Sequence, residues 1–316
     1  MGQIILDNRN GINYSVCDFH RVVLPYSRQF SSQPKHNVFV FNGVPTKGKE
    51  GFLALKNLGF KMVMDLDDSL VIPKGHMLEG IFESGIREHL KWFLEHSDLV
   101  TTTTPALQVE LSQYNDNVHI IPNGLPYDEG QFVLTRDRYS KTPLVWAGSE
   151  THKQDLAILP DFGKDLTICG FRRDSEVLSS REWSLIRENV APTCVYEGVR
   201  PYANYMESYD GHQISLAPLI DNVFNNAKSN LKILEAGAKG LPLICSPREN
   251  YHTQEFKDLL FFAETPSEWK DITEYLLSAP DVCMEKGLAL AKYVRTHYHI
   301  DVLNERRRLY LRSYND

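Results

Sequence analysis

The 316-residue sequence has no CxxC pair, and its five cysteines are far apart and odd in number. This spacing excludes a disulfide-stapled domain and a cysteine zinc site, and it favours a reducing cytoplasm. No run of about 18 apolar residues is present, so the sequence predicts no transmembrane helix. The opening residues, MGQIILDNRNG, lack the basic and apolar regions of a signal peptide. We therefore expect a soluble, cytoplasmic protein.

The chain also has fewer positive than negative side chains. The chain carries 34 Lys and Arg against 41 Asp and Glu, a formal net charge of −7. Such a chain has no global attraction for nucleic acid or an anionic membrane, although a local basic patch is compatible with it. No internal repeat or low-complexity tract is present, and 42% of the residues are hydrophobic. These features predict a globular protein, and the length predicts two domains.

Short apolar runs bounded by turn residues recur along the chain and predict buried strands. They lie at 4–6, 38–41, 62–64, 99–100, 118–121, 144–146, 166–169, 194–196, 214–216, 243–245 and 261–263. Helix-like stretches separate them, notably 79–96 and a segment opening at Thr104 and Pro105, which suit an N-cap and a first helical turn. Strands alternating with helices predict parallel α/β units.

The alternation pauses at 123–141, a polar stretch with glycine, proline and mixed charge. We therefore predict one α/β domain over 1–140, a second over 141–295, and a C-terminal helix over 296–316 that packs back on the first domain. Two doubly wound domains facing each other would bring the carboxyl ends of both sheets to one cleft. Ligands of open α/β sheets bind at such ends.

The segment 216–247 gives the strongest indication of a ligand-binding site. A polar loop after a predicted strand leads into a helix that opens near Lys228 and Ser229, carries Glu235 and stops at Gly240. A helix start presents unpaired N–H groups and a positive dipole end, which suit a phosphate, and Lys228 and Ser229 would add a charge and a hydroxyl donor. An N-cap role for Ser229 and a helix-stop role for Gly240 explain the same residues without a ligand.

Three segments carry a resemblance to a known family. The run FNNAKSNLKILEAGAKGLPLI, at 224–244, resembles the nucleotide-sugar signature of the retaining glycosyltransferases of GT-B fold, the sucrose synthase-like or group 1 family with bacterial and phage members. VWAGS at 145–149, followed by His152, Lys153 and Asp155, is similar to the glycine turn that opens the family's second domain. The segments 101–105 and 118–124 are similar to the strand, helix and IPNG hairpin that close its first domain.

The resemblance implies an α/β GT-B fold of two doubly wound Rossmann-like domains facing an interdomain cleft, with a C-terminal helix. The implied activity is retaining transfer of a sugar from a nucleoside diphosphate sugar, with a UDP-sugar favoured, to a hydroxyl acceptor. The acceptor would be a glycan or lipid, or hydroxymethylated DNA if the chain comes from a phage. Residues 1–140 would take the acceptor and 141–295 the nucleotide sugar. No permanently bound cofactor and no divalent metal are expected, and the location would be bacterial or phage-infected host cytoplasm.

The resemblance also implies site residues. Donor binding would fall to Gly148, Ser149, His152, Lys153, Asn225, Asn226, Lys228, Ser229 and Glu235. Of these, Lys153 and Lys228 would act in catalysis on the diphosphate, and Glu235 would accept hydrogen bonds from the ribose hydroxyls. The family often has a second glutamate eight positions earlier, where this chain has Ala227. That glutamate usually lies near the donor sugar, and here its role would pass to Asn225, Asn226 and local N–H groups, or to Asp221.

Ala227 also leaves a second hypothesis open, a nucleotide-sugar-binding protein whose catalysis has decayed.

A cluster of carboxylates follows the predicted strand KMVM, at Asp65, Asp67 and Asp68. Such a cluster suits either a divalent-metal site or an acceptor-side base and hydrogen-bond group, and an N-cap explains one of the three. A DxD motif also marks metal-dependent sugar transferases of another fold. Because the second-domain signature implies a donor site without metal, we predict an acceptor-facing catalytic role for Asp67 or Asp68.

Two segments near the chain ends give weaker signals. The loop DNRNGIN, at 7–13, follows the first strand, where the resembled family has a glycine-bearing loop near the acceptor or the donor phosphates. Gly11 and Asn13 are the candidates there, although a lone glycine also suits a simple turn. The arginines at 306–308 and 312 suit the negative end of a helix. A basic patch for a DNA acceptor is the alternative.

Overall fold

The computed structural model describes residues 2–7, 15–28, 36–172 and 178–313, which form two compact units. Unit 1 is built from Met1–Gly124, Asn226–Ser229 and Ile300–Asp316, and unit 2 from Leu125–Asn225 and Asn230–His299. The segment 125–140 thus packs with the second unit, and the C-terminal helix packs with the first.

Unit 1 contains a parallel five-stranded sheet. Its strands are β1 (Ile4–Leu6), β2 (Val38–Asn42), β3 (Lys61–Asp65), β4 (Leu99–Thr102) and β5 (Val118–Ile120), in the order β1-β2-β3-β4-β5. Its helical segments are Val16–Asp18, Phe19–Val23, Leu24–Tyr26, Gly48–Asn57, Glu79–Ile81, Phe82–Ile86, Arg87–His96, Pro105–Leu111 and Ile300–Ser313.

Helices cover both faces of this sheet because side chains alternate along each strand. On one face Phe41 and Met64 pack against Phe93 of the helix Arg87–His96. On the other face the alternate strand residues, such as Val40, pack against Leu311 of the C-terminal helix. The central strands β2, β3 and β4 are therefore buried on both sides, which explains their continuous apolar runs in the sequence, whereas Ile5 on the edge strand β1 is exposed.

Unit 2 contains a parallel six-stranded sheet. Its strands are β6 (Leu144–Ala147), β7 (Leu166–Phe171), β8 (Val195–Gly198), β9 (Ile214–Ala217), β10 (Leu243–Cys245) and β11 (Phe261–Phe262), in the order β11-β10-β9-β6-β7-β8. Its helical segments are Glu150–His152, Lys153–Leu156, Gly163–Asp165, Leu178–Leu185, Ile186–Val190, Tyr205–Tyr209, Leu231–Lys239, Pro266–Ser278 and Pro280–His297, and Val223–Ala227 continues into unit 1. The strand order reverses between β6 and β9, which makes that point the topological switch of the sheet.

The predicted strands are all confirmed, with ends that differ by one or two residues. Thr104 caps the helix Pro105–Leu111 through a hydrogen bond from Leu107 N to its Oγ1, 3.3 Å long. The helix predicted to open near Lys228 and Ser229 begins two residues later, at Leu231, and its N-cap residue makes no side-chain cap bond. None of the described helices is long and apolar enough to cross a membrane.

Two glycines let the helices Leu231–Lys239 and Pro280–His297 approach closely. A Cβ on Gly287 would lie 2.0 Å from the carbonyl oxygen of Gly240, and a Cβ on Gly237 would lie 2.6 Å from Val294 Cγ2. Gly240 itself ends the first helix in the left-handed conformation, at φ 70°. The backbone carbonyl at Gly240 cannot move without disturbing this helix end.

We therefore expect Gly287→Ala to lower the free energy of unfolding by roughly 2 kcal/mol or more, because overpacking against backbone forces the two helices apart. Gly80→Ala is the matched control, since that glycine is exposed in a helical turn and a Cβ there meets nothing within 4 Å. The control should be neutral or stabilising by about 0.5–1 kcal/mol. Urea unfolding of both variants checks this, and equal midpoints would contradict it.

Candidate active site

The carboxyl edge of the first sheet is organised around a buried ion pair. Asp65, at the end of β3, is 2% exposed. Arg21 donates from Nε to Asp65 Oδ1 and from Nη2 to Asp65 Oδ2, each over 2.8 Å. Thr101, the neighbour of Asp65 on β4, donates from Oγ1 to Asp65 Oδ2 over 2.6 Å. Both oxygens of Asp65 are therefore used within the protein.

The same arginine connects this edge to the segment 226–229. Arg21 Nη1 donates to the carbonyl of Ile121 over 2.7 Å and to Asn123 Oδ1 over 3.1 Å. Asn123 in turn donates from Nδ2 to Ser229 Oγ over 2.9 Å. Ser229, predicted to bind the donor, is thus fixed by a residue 106 positions away in the chain.

Asp67 and Asp68 have different surroundings. Burial, followed by the charges of Asp68 and Asp65, raises the pKa of Asp67 to about 7. The amide of Asn42 donates to Asp67 Oδ1 over 3.2 Å. Asp68 has a side chain that is 43% exposed, with Lys228 Nζ 3.6 Å from its Oδ1. A carboxyl group that titrates near neutral pH is suited to proton transfer.

The aspartate cluster fits a metal ion poorly. A divalent ion prefers several carboxylate or carbonyl oxygens that are not already neutralised by a cation. Here the guanidinium of Arg21 engages both oxygens of Asp65, and the ammonium group of Lys228 lies against Asp68. This donor set favours the acceptor-side interpretation over the metal-site interpretation.

The first turn after β6 in unit 2 requires glycine. A Cβ on Gly148 would lie 2.5 Å from the ring of Trp146, and Gly148 N donates to the carbonyl of Cys169 over 3.1 Å. Ser149 follows, with its Oγ 2.6 Å from Thr151 Oγ1. The turn therefore holds the backbone at Gly148 against the ring of Trp146 and the neighbouring strand β7.

His152 and Asp155 lie next along this turn. His152 Nδ1 is 2.7 Å from Asp155 Oδ2. Asp155 is 4% exposed, and its Oδ1 accepts from Ile220 N over 2.9 Å and from Asn225 Nδ2 over 2.7 Å. Asn225 also donates to the carbonyl of Ile220, over 3.0 Å. A sugar contact by Asn225 would therefore be left to its amide oxygen.

The remaining predicted donor residues of unit 2 also have protein partners. Lys153 Nζ is 2.5 Å from Oε2 of Glu182, which is 9% exposed. Glu235, 2% exposed, accepts at Oε2 from Tyr209 OH and from Lys232 Nζ, each over 2.7 Å. Burial, followed by Glu235, raises the pKa of Tyr209 well above its usual value, which keeps the phenol a donor. A ribose would have to share Glu235 with these two groups.

Three further positions complete the predicted set. Gly11 and Asn13 lie outside the described residues. Asn226 is half-buried in the helix Val223–Ala227 and belongs to unit 1. The site roles predicted for these positions stay predictions.

Several residues that build these clusters are not among the predicted site residues. They are Arg21, Asn42, Asn123, Asp155, Glu182, Tyr209 and Lys232. Spacing of three residues links Asp155 to His152 and Lys232 to Glu235, so those two were accessible to pattern analysis. The others reach their partners across long stretches of chain, for which the sequence carries no local signal.

No family model and no curated protein sequence matches the chain. Solved structures match its fold. Sucrose-phosphate synthase from Thermosynechococcus elongatus is 15% identical, with a TM-score of 0.58 over 92% of this chain and 76% of that chain. An α,α-trehalose 6-phosphate synthase from Burkholderia multivorans is 15% identical, with a TM-score of 0.58 over 88% of this chain and 72% of that chain. Anabaena HepE in complex with UDP is 11% identical, with a TM-score of 0.53 over 88% of this chain and 79% of that chain.

These similar structures are GT-B glycosyltransferases. At such low identity the likeness establishes the fold, so the chain has the predicted α/β GT-B fold with a C-terminal helix.

The raised pKa of Asp67 makes the stability of unit 1 depend on pH. Its ordinary value is 3.8, so between about pH 4 and 7 the folded chain keeps a proton that the unfolded chain has released. The free energy of unfolding therefore falls as pH rises through this window. Asp67→Asn, which mimics the protonated form, should stabilise the protein by roughly 1–3 kcal/mol at pH 8, allowing for partial exposure, and hardly at all at pH 4.

Urea unfolding at the two pH values measures this difference. Asp116→Asn is the control, because Asp116 is exposed after the helix Pro105–Leu111. The same stabilisation by Asp67→Asn at both pH values would show that the Asp67 carboxyl is not perturbed.

Proposed function

We propose that the protein is a retaining glycosyltransferase that moves a sugar from a nucleoside diphosphate sugar to a hydroxyl acceptor without a metal ion. The observation that carries this proposal is the turn after β6, where Gly148 is followed by His152 and Lys153 at the topological switch of the unit 2 sheet. Ligands of open α/β sheets bind at that point.

The donor class is supported by the structures that share the fold. Anabaena HepE is in complex with UDP in one structure and with UDP-glucose in another. We therefore favour a UDP-sugar. In this chain the backbone turn at Gly148 and Ser149 would receive the diphosphate with Lys153, and Glu235 would accept from the ribose hydroxyls alongside Tyr209 and Lys232.

These residues would act mainly by electrostatic stabilisation of the leaving group. The bond between the anomeric carbon and the diphosphate oxygen breaks through an oxocarbenium-like state, and negative charge builds up on the leaving group. Lys153 and Lys228 would stabilise that charge, as preorganised cations do at a developing anion. For retention, inferred from the family resemblance, the acceptor oxygen bonds to the same face and its proton passes to the leaving diphosphate.

The acceptor side would belong to unit 1. Asp67 has a pKa of about 7 and receives a hydrogen bond from Asn42, so in its ionised form it can accept a hydrogen bond from an acceptor hydroxyl. Asp68 would keep Lys228 in place until a more highly charged diphosphate replaces it as the partner. The acceptor would be a glycan or lipid, with modified DNA as the minority possibility, in the cytoplasm of a bacterium or phage-infected host.

One observation favours a second candidate function. The position of the family's additional glutamate holds Ala227, which is 3% exposed. A nucleotide-sugar-binding protein that no longer transfers sugar is the alternative. Slow hydrolysis of the donor in the absence of acceptor, followed by release of free sugar, would count against this alternative.

We expect isothermal titration calorimetry to show binding of UDP and one UDP-sugar, with unchanged affinity in EDTA. Lys228→Ala should weaken UDP binding about tenfold or more, equivalent to about 1.4 kcal/mol, because a cation near the diphosphate is lost. Lys270→Ala is the control, since that side chain is 65% exposed on the helix Pro266–Ser278. Thermal unfolding of each variant separates lost binding from lost folding.

The same calorimetry is carried out with GDP-, ADP- and dTDP-sugars. Binding only after addition of Mn²⁺ or Mg²⁺ would favour the metal-dependent alternative at Asp65, Asp67 and Asp68. No binding of any donor to the folded protein would remove the glycosyltransferase proposal.

A further inference from the structure

A chain of hydrogen bonds runs from Arg21 to Ser229. Arg21 donates from Nε and Nη2 to Asp65, and from Nη1 to Asn123 Oδ1 over 3.1 Å. The other polar side-chain atom of Asn123, Nδ2, lies 2.9 Å from Ser229 Oγ. Arg21 is 1% exposed and Asn123 is 2% exposed, and all four residues belong to unit 1. The protein interior therefore holds the groups that precede Ser229 in this chain.

The guanidinium of Arg21 determines which way the amide of Asn123 points. A guanidinium has only N–H donors, so the atom of Asn123 that faces Arg21 must be the amide oxygen. The atom that faces Ser229 is then the amide nitrogen, which can only donate. Ser229 Oγ therefore accepts this hydrogen bond, and the hydroxyl hydrogen of Ser229 points elsewhere.

The segment that carries Ser229 is held at a second point. Thr104 donates from Oγ1 to the carbonyl of Ala227 over 2.9 Å. Lys228 lies between the two held residues, with its Nζ 3.6 Å from Asp68 Oδ1. Ser229 is half-buried, and within the part of the chain that the structure describes no acceptor takes its hydroxyl hydrogen. The hydroxyl is therefore fixed in place with its hydrogen left for a ligand.

We propose that Asn123 is a positioning residue, which holds Ser229 Oγ as an acceptor so that the Ser229 hydroxyl donates to a phosphate oxygen of the nucleotide sugar. This role rests on the proposed function. Ionised phosphate oxygens only accept hydrogen bonds, so they require such a donor. Each hydrogen bond from Arg21 through Asn123 to Ser229 polarises the next, which strengthens the final donor. Asn123 touches no ligand and acts only through Ser229.

Asn123→Asp is expected to reverse the serine hydrogen while keeping both contacts. A carboxylate of the same shape still accepts from Arg21, but towards Ser229 it can only accept, so the serine hydrogen turns inward. We expect Asn123→Asp and Ser229→Ala each to weaken UDP binding about tenfold in calorimetry. The double variant should bind no more weakly than Ser229→Ala alone, because the direction of the hydrogen has no effect once the hydroxyl is removed.

This cycle separates positioning from two simpler explanations. If Asn123 only holds the segment in place, Asn123→Asp keeps that contact and should bind UDP like the wild type. If the added charge alone repels the diphosphate, Asn123→Asp should weaken UDP binding by the same factor with and without the Ser229 hydroxyl. Either result would overturn the proposal. Asn57→Asp is the matched control, since it adds the same charge at an exposed residue that ends the helix Gly48–Asn57, and it should leave UDP binding unchanged.

Ser229→Ala tests the proposal without any change to the buried amide. Thermal unfolding shows whether each variant is folded before its affinity is compared. Unchanged UDP affinity in folded Ser229→Ala, with a wild type that binds UDP, would overturn the proposal even if Asn123→Asp does not fold. A folded wild type that binds no nucleotide sugar would instead overturn the proposed function, and with it the ligand that Ser229 serves.

Discussion

Burying a carboxylate costs free energy unless hydrogen-bond donors surround it, and this constraint shapes both polar clusters. In unit 1, Asp65 is surrounded by Arg21 and Thr101, and in unit 2, Asp155 is surrounded by donors from two loops. These donors come from separate parts of the chain. Each carboxylate therefore fixes loops that follow different strands, and the candidate ligand-binding groups are ordered before a ligand arrives.

The cations that would meet a diphosphate are already paired with carboxylates. Lys153 contacts Glu182 and Lys228 contacts Asp68, and the lysine side chains are 32% and 18% exposed. Asp68 is 43% exposed, and partly exposed ion pairs are worth about 0–1 kcal/mol, so exchanging Asp68 for a ligand with more charge costs little. Glu182 is buried, so removing Lys153 from it costs more. The pairs hold long, flexible side chains near the sheet edges, which reduces the entropy lost when a ligand binds.

Local patterns account for the parts of the fold that depend on neighbours in sequence. Apolar runs gave the strands, Thr104 gave a helix start and Gly240 a helix stop. The side-chain contacts of the candidate site were harder to predict, because the residues that form them are far apart in the sequence. Arg21 lies 44 positions from Asp65, in a segment whose sequence shows no sign of a buried cation. Asn225 was predicted to contact the donor sugar, whereas in the structure its amide nitrogen donates a hydrogen bond to Asp155.

The alanine at position 227 can be understood from charge and burial together. Ala227 is 3% exposed, and its carbonyl accepts from Thr104 Oγ1 over 2.9 Å. A glutamate here would place a carboxylate with almost no access to solvent beside Lys228, the partner of Asp68. Burial, followed by the charges of Asp68 and Asp65, raises the pKa of Asp67 at this edge, and a carboxylate added close to it would raise that pKa further. Alanine therefore avoids burying a further carboxylate at this position.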